Sequence, residues 1–351
     1  MTLRPRFPQR RLLSLLLTII AMGASSLPLH AQEAPSQSGG APQLLATVKV
    51  PGVAGRWDVM AVDPTAKRLY VSDTSNEALD VMDTTTQSFL AQIKGLPSHV
   101  DAKGNWSGSN GLAVAPELNK VWVSDQVDSA VHIYDTTSLT QTAVVPTTQK
   151  GSDSVVYDPA DKKVYVSNGD SKTITVLDAT SNKILTQIAL PGSPELAAWD
   201  PFDGTIHQNL SDMNGQVVIN PKTDQIMYGF PLSPGCEPHG LSFAPKNQYE
   251  LVGCTKQLTL VIDGGTGNLV SGTNKIGGGD ITGYNPVNNR FYVAASGQPG
   301  GPIVGIFDGT TGDYVGSAKT DKGAHLLAVD PSDGKVYVGA GAAGTILIFA
   351  P

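Results

Sequence analysis

Residues 153–192 read DSVVYDPADKKVYVSNGDSKTITVLDATSNKILTQIALPG and contain four short apolar segments separated by turn residues. The first segment ends at Asp158-Pro159, the second contains Val164-Tyr165-Val166, the third ends at Asp178, and the fourth is Leu185–Leu190. Because proline presets a turn and Asp caps it, the Asp-Pro pair predicts a hairpin between the first two strands. The stretch therefore predicts a four-stranded antiparallel sheet.

The same turn recurs along the chain. It occurs seven times, as Asp63-Pro64, Ala115-Pro116, Asp158-Pro159, Asp200-Pro201, Ala244-Pro245, Asn285-Pro286 and Asp330-Pro331. Successive prolines are 52, 43, 42, 44, 41 and 45 residues apart. Four strands in a repeat of about 44 residues are typical of a β-propeller blade, whereas a parallel β-helix has shorter repeats. We therefore predict an all-β fold, a seven-bladed β-propeller of four-stranded antiparallel blades.

The seventh blade lacks its outer strand, because its third strand, Thr345–Phe349, runs into the C-terminus. The segment LLATVKVPG at Leu44–Gly52 matches KILTQIALPG at Lys183–Gly192, the outer strand of the third blade. We expect this N-terminal strand to complete the last blade and close the ring, which protects the sheet edges. Residues 44–351 then form one propeller domain, although a length of 351 residues by itself suggests two or three domains.

The first 31 residues have the layout of a secretory signal peptide. Four arginines precede an apolar run at Leu12–Ala24, and Leu29-His30-Ala31 offers a small residue for cleavage after Ala31. We expect residues 1–31 to be removed, residues 32–43 to be a flexible leader, and the mature chain to be periplasmic or secreted. An N-terminal membrane anchor is the alternative, although the apolar run is shorter than a span of about 20 residues.

Charge argues against nucleic acid as a partner. The formal charge of −7 becomes −11 once residues 1–31, which carry four Arg and no acid, are removed. An acidic chain has no general attraction for phosphates or anionic lipid. No later segment is apolar enough to cross a bilayer, and we expect a monomer.

The repeats resemble a known family. Tyr165-Val166-Ser167-Asn168, the strand Thr173–Asp178, and Leu190–Pro194 together resemble the YVTN-repeat β-propellers, a likeness that covers nearly the whole mature chain. The resemblance implies an extracytoplasmic binding, surface or assembly-assisting protein. The same motif drifts to YVSD, WVSD, LVGC and YVGA in other blades. The pairs that follow the second strand of blades 1 to 4 are expected to tie neighbouring blades together through turn hydrogen bonds: Ser72-Asp73, Ser124-Asp125, Ser167-Asn168 and Ser211-Asp212.

One position in each blade is polar. Six residues before the turn prolines stand Asp58, Asn110, Asp153, Glu195, His239, Asp280 and His325. The inner strands of a propeller begin near the central axis, where ligands usually bind, so we expect these seven residues, the channel-mouth ring, to face one cavity. Two positions later stand residues expected to be core, among them Met60, Leu112 and Val155.

The ring residues permit three interpretations. His239, Asp280 and His325 come from adjacent blades, and two imidazoles with a carboxylate can hold a divalent metal such as Zn²⁺ or Fe²⁺. Glu195 or Asp58 would then be the catalytic base of a metal-dependent hydrolase or lyase, similar in architecture to propeller lactonases and streptogramin lyases. The second interpretation is a site for a partner protein or small ligand. The third is a water-filled channel without a ligand.

The first interval is about eight residues longer than the others, and its extra length falls in Pro97–Ser109. Long loops on rigid scaffolds often carry binding residues. We therefore expect His99 and Trp106 of this loop, with Trp57 beside Asp58, to contribute to the ligand face.

Cys236 and Cys254 both fall in the fifth blade. Hairpin geometry places them close together, and an oxidising compartment favours a disulfide between them. A metal site from Cys236, His239 and Cys254 is the alternative. The sequence has no GxSxG, P-loop, HExxH or CxxCH motif. We predict a binding protein that uses the channel mouth, with the metal-dependent hydrolase or lyase as the alternative.

Overall fold

The computed structural model describes residues 41–351. The predicted signal peptide (1–31) and most of the predicted leader (32–43) lie outside the described residues. Within residues 41–351, no helix has the length and apolar character that crossing a bilayer requires.

Strand β1 lies at Leu44–Lys49. Blade 1 consists of β2 to β5, at Trp57–Asp63, Arg68–Asp73, Ala78–Asp83 and Ser88–Lys94. A small hairpin follows, with β6 at His99–Val100 and β7 at Trp106–Ser107. Blade 2 consists of β8 to β11, at Ser109–Ala115, Lys120–Asp125, Ala130–Asp135 and Thr140–Pro146. Blade 3 consists of β12 to β15, at Ser152–Asp158, Lys163–Asn168, Thr173–Asp178 and Ile184–Ala189.

The remaining blades repeat this order. Blade 4 consists of β16 to β19, at Pro194–Trp199, Ile206–Leu210, Gly215–Asn220 and Gln225–Pro231. Blade 5 consists of β20 to β23, at Pro238–Ala244, Tyr249–Cys254, Thr259–Asp263 and Leu269–Thr273. Blade 6 consists of β24 to β27, at Gly279–Asn285, Arg290–Ala295, Ile303–Asp308 and Tyr314–Lys319. Blade 7 has β28 to β30, at Ala324–Val329, Val336–Ala340 and Thr345–Phe349. Short 3₁₀ turns lie at Thr74–Asn76, Pro116–Leu118, Ser211–Met213 and Gly341–Ala343.

The predicted seven-bladed propeller is confirmed. Seven antiparallel sheets of four strands are present, and each inner strand contacts the inner strands of both neighbouring blades, with β28 against β2. The aromatic residue of the repeated motif packs between blades, and the fully buried examples are Tyr70, Trp122, Tyr165, Tyr292 and Tyr337. Burial of these large side chains between blades stabilises the ring.

The turns form as the sequence predicts. The Asp63 carboxylate accepts hydrogen bonds from the backbone N–H groups of Thr65 and Ala66, both at 2.8 Å. Equivalent caps are formed by Asp158, Asp200, Asn285 and Asp330. In these five blades the caps fix the hairpin at the end of the inner strand away from the channel-mouth ring; the turns at Ala115-Pro116 and Ala244-Pro245 have alanine at the capping position.

The ring closes through β1. This strand pairs antiparallel with β30, and the last sheet has the order β1-β30-β29-β28. The backbone N–H of Ala350 also donates to the carbonyl of Gln43 at 2.8 Å, so pairing reaches one residue beyond the predicted start of the strand. The predicted completion of the last blade by the N-terminal strand is confirmed.

Candidate functional site

Each inner strand carries a β-bulge near its start. In β2, Trp57 pairs with Asp73 and Met60 pairs with Val71, so Asp58 and Val59 together lie opposite Ser72. The inner strands of blades 2 to 6 have the same interruption, and in blade 7 His325 alone is the extra residue, between Ala324 and Leu326. A bulge leaves a residue outside the ladder and redirects its side chain. The predicted channel-mouth ring occupies this bulge in all seven blades.

The bulges bring the seven ring residues around one cavity of about 470 Å³. Its lining includes Asp58, Asn110, Asp153, Glu195, His239, Asp280 and His325, together with Arg56, Trp106, Ser107 and Gln126. A second cavity of about 330 Å³ runs between the inner strands and is lined by mostly apolar residues such as Met60, Leu112 and Val155. The site is therefore a polar mouth on an apolar channel.

Hydrogen bonds between blades position the ring. The Ser72 hydroxyl of blade 1 donates to the Asn110 carbonyl of blade 2 at 2.8 Å, and the Ser124 hydroxyl of blade 2 donates to the Asp153 carbonyl of blade 3. In blade 4 the Asn209 amide donates to the His239 carbonyl at 2.7 Å. The predicted tie between blades is confirmed for Ser72 and Ser124, which hold the backbone of the next blade's ring residue, and for Ser167, whose hydroxyl donates to Gln208 of blade 4 at 2.6 Å. For Ser211 the prediction is wrong, because its hydroxyl donates to Glu195 of its own blade.

On one side of the mouth, a guanidinium pairs with a ring carboxylate. Arg56 donates to Asp58 at 2.8 Å and to the side-chain oxygen of Asn110 at 3.4 Å. Burial raises the pKa of Asp58, while Arg56 opposes this shift. Arg56 is therefore paired mainly with Asp58.

On the opposite side, His239 lies between two carboxylates. Its ring nitrogens are 3.8 Å from Glu195 and 3.7 Å from Asp280. Burial opposes the charged form of His239, but these carboxylates outweigh it and raise the pKa of His239. Burial likewise opposes ionisation of Asp280, yet the two histidines and Arg56 lower its pKa. In this group the imidazole of His239 therefore lies between the carboxyl groups of Glu195 and Asp280.

Asp153 differs from the other ring acids. Within residues 41–351 its carboxylate has no hydrogen-bond or ion-pair partner. Burial, followed by the carboxylates of Asp58, Glu195 and Asp280, raises the pKa of Asp153 to about 8. Asp153 is therefore protonated in most molecules at pH 7 while the cavity holds no cation.

The predicted metal trio does not converge. His325 donates through Nδ1 to the Gly323 carbonyl at 2.9 Å, and its Nε2 lies 4.0 Å from Asp58 instead of beside Asp280. His239 is engaged by Glu195 and Asp280. In residues 41–351, no group of three or more His, Cys, Asp or Glu side chains has an arrangement that could hold a metal ion. The metal hypothesis, and with it the role of Glu195 or Asp58 as a base, has no geometric support here.

The long loop contributes one of its two predicted residues to the mouth. Its extra length forms the hairpin β6–β7, in which Val100 pairs with Trp106. Trp106 lines the mouth cavity, whereas His99 is exposed and lies outside the lining.

Trp57 was expected on the ligand face and this expectation is wrong. Its side chain is 1% exposed and belongs to the hydrophobic core shared with blade 7. The bulge explains the error. It turns the Asp58 side chain toward the channel and leaves Trp57 paired in the ladder, where its side chain packs into the hydrophobic core.

A polar groove of about 800 Å³ continues from the mouth between blades 4 and 5. Glu195 and His239 line both the cavity and the groove. The rest of the groove is lined by Ser193, Ser211, Asp212, Asn214, Pro234, Gly235 and Glu237. Asp212 and Glu237 are already paired with Lys172 and Lys256, at 2.7 and 3.2 Å. The charges of these two carboxylates in the outer groove are therefore largely compensated.

The predicted disulfide is confirmed. Cys236 and Cys254 are bonded and fully buried, and Cys254 lies opposite Pro238 in the blade 5 hairpin. The bond anchors the segment that carries Pro234 and Gly235 into the groove. It also rules out the alternative in which both thiolates bind a metal with His239.

Sequence reasoning missed Arg56 and the groove. Arg56 stands two residues before Asp58, where four other blades have glycine, at Gly108, Gly151, Gly278 and Gly323. The available signal was an arginine at a position where most of the other blades have glycine. The groove had no comparable signal, because residues from three separate turns form it.

Fold and site together define a seven-bladed β-propeller with a polar, mainly acidic channel mouth. No family model matches the chain. One chain in a crystal structure of the mitotic checkpoint complex has a TM-score of 0.73 over 96% of this chain and 99% of that chain. Its sequence identity is 11%, so this likeness shows the fold alone.

A curated relative matches a short stretch. Antigen Lp49 of Leptospira interrogans serogroup Icterohaemorrhagiae serovar copenhageni (strain Fiocruz L1-130) is 43% identical over 63 residues. The match spans 18% of this chain and 14% of the antigen's length.

Proposed function

We propose that this protein is an extracytoplasmic β-propeller binding protein that recognises a partner protein or small ligand at its channel mouth. One observation carries the proposal: all seven blades direct a polar side chain from a bulge into one cavity of about 470 Å³. Such a concave site with converging polar groups suits ligand recognition. The propeller fold also suits a protein-binding role.

Export is the second part of the proposal. The signal-peptide pattern of residues 1–31 supports it, and so does the buried disulfide, because such bonds persist in oxidising compartments. Membership of the YVTN-repeat propellers and a monomeric state are proposed on the repeated motif and the closed ring. Protein purified from the periplasm or medium of its source should begin at Gln32. An intact N-terminus in that fraction would argue against cleavage after Ala31.

Site-specific crosslinking tests binding at the mouth. p-Benzoylphenylalanine replaces Ser107, which lines the cavity, or Phe202, which is 56% exposed in the hairpin turn at the opposite end of blade 4. After irradiation in an extracytoplasmic extract, we expect discrete crosslinked species only with the probe at position 107. Equal crosslinking from both positions, or none from position 107, would contradict the proposal.

A further inference from the structure

The mouth has one carboxylate without a cationic partner. Arg56 is engaged by Asp58, and His239 serves both Glu195 and Asp280. Asp153 faces the same cavity and has no ion-pair or hydrogen-bond partner for its carboxylate in the part of the chain that the structure describes. A ligand that brings a positive charge would supply the missing partner.

Two neighbours of Asp153 also indicate a ligand. Asn110 lines the cavity and is only 5% exposed, yet its amide nitrogen donates no hydrogen bond to any residue in 41–351. This nitrogen is not among the fully buried atoms, so it can donate to a ligand in the cavity. Trp106 places an indole in the same wall, and aromatic faces attract ammonium and guanidinium groups.

The groove between blades 4 and 5 indicates an extended ligand. At about 800 Å³ it is larger than the mouth cavity, and it meets that cavity at Glu195 and His239. The hydroxyl groups of Ser193 and Ser211 donate to Asp212 and Glu195, and their oxygens can still accept hydrogen bonds from the N–H groups of a peptide backbone. A ligand that fills both spaces has a charged group in the mouth and a polar chain leading outward.

We propose that the channel mouth binds a lysine or arginine side chain of a peptide segment, with Asp153 as the counter-ion, Asn110 and Trp106 as further contacts, and the segment's backbone in the groove between blades 4 and 5. This proposal rests on the proposed function and names its ligand class. The cationic head group enters the cavity, and the adjoining residues follow Glu195 and His239 outward.

Binding of this kind is coupled to a proton. Because the pKa of Asp153 is about 8, an incoming cation meets a mostly protonated carboxyl at pH 7. The cation favours the carboxylate, so the proton leaves to solvent as the ion pair forms. The other charged groups around Asp153 are Arg56, Asp58, Glu195, His239, Asp280 and His325.

Calorimetry on the full chain tests the proposal with the peptide Ac-Gly-Gly-Lys-Gly-Gly-NH2. Matched probes replace its lysine with arginine, norleucine or glutamate, and butylamine represents a free amine. We expect the lysine and arginine peptides to bind at least about tenfold tighter than the norleucine peptide and butylamine. At pH 7, titrations in buffers of different ionisation enthalpy should show proton release.

Asp153→Asn should weaken the lysine peptide at least about tenfold and abolish proton release. Asp170→Asn makes the same side-chain replacement at an exposed turn of blade 3 and should alter neither. Equal binding of the norleucine or glutamate peptide would overturn the cationic class, while crosslinking from position 107 would still support binding at the mouth. Equal binding of butylamine would overturn the peptide assignment.

Discussion

At the scale of single residues, Asp153 illustrates how a buried acid without an ion-pair partner lowers stability. The carboxyl group is held where burial and three neighbouring carboxylates disfavour its charge, and the opposing effect of Arg56 is smaller than theirs. Such a group destabilises the folded state once it ionises. If Asp153 had only a structural role, a neutral side chain at this position would make the folded state more stable. An acid at this position therefore fits a ligand that supplies the compensating positive charge.

The pH dependence of stability tests this directly. The pKa of Asp153 is raised from 3.8 to about 8 on folding, so its destabilising effect is absent below pH 3.8, grows as the pH rises, and levels off above about 8. Asp153→Asn should therefore increase the free energy of unfolding over wild type, by more at pH 8.5 than at pH 5. Urea denaturation at both values measures the difference.

The control for this comparison is Asp170→Asn, which makes the same side-chain replacement in an exposed turn. Its effect on the free energy of unfolding should be small at both pH values. An Asp153→Asn variant that shows the same change at pH 5 and pH 8.5 would contradict the raised pKa.

At the scale of elements, the hairpin of blade 5 is reinforced by a covalent link. Cys236 and Cys254 are separated by 18 residues, and their bond fixes the turn that borders the groove. In the chain-entropy model a loop of this size contributes about 3 kcal/mol. The double variant Cys236→Ala/Cys254→Ala should lose about that much free energy of unfolding in denaturant titrations.

The reduced wild-type protein provides the matched comparison for the double variant. Adding a reductant should lower the free energy of unfolding of the wild-type protein by a similar amount. The same reductant should leave the free energy of unfolding of the double variant unchanged. A double variant as stable as oxidised wild type would show that the bond does not constrain the unfolded chain.

The elements also show what the sequence can predict. Turn residues such as Asp63 and Asp158 act locally, so the hairpins and their repeat were predictable, and counting back from each proline placed the ring. The bulge was not predictable from alternation, which is why Trp57 was assigned to the wrong face. Whether His325 meets Asp280 or Asp58 depends on the path of the backbone at Gly323, and the groove depends on how blades 4 and 5 pack. Neither is encoded in one stretch of residues.

At the scale of the whole molecule, closure joins the two ends of the described chain. Besides its pairing with β30, β1 leads into a connection held by neighbouring blades: Val50 and Gly55 donate to the carbonyls of Gly344 and Gly341 at 3.0 and 2.9 Å. Asn76 of blade 1 exchanges two hydrogen bonds with the Val53 backbone, at 2.8 and 2.9 Å. The connection ends at Arg56, so closure of the ring and the geometry of the mouth are linked.

Removing β1 should therefore open the ring and disturb the geometry of the channel mouth. Deleting residues 41–49 leaves β30 as an unpaired edge and uncovers the core beneath Ala46 and Val48. A loss of roughly 5 kcal/mol would lower the Tm by roughly 10 °C in a domain of this size, and we expect a decrease at least that large by calorimetry.

Deleting residues 32–40 removes a segment of equal length but no part of β1, and it should leave the Tm unchanged. A peptide of residues 43–52 added to the shortened chain should restore part of the lost stability, because it can pair with β30. If the shortened chain melted at the wild-type temperature, the ring would not depend on β1 for its closure.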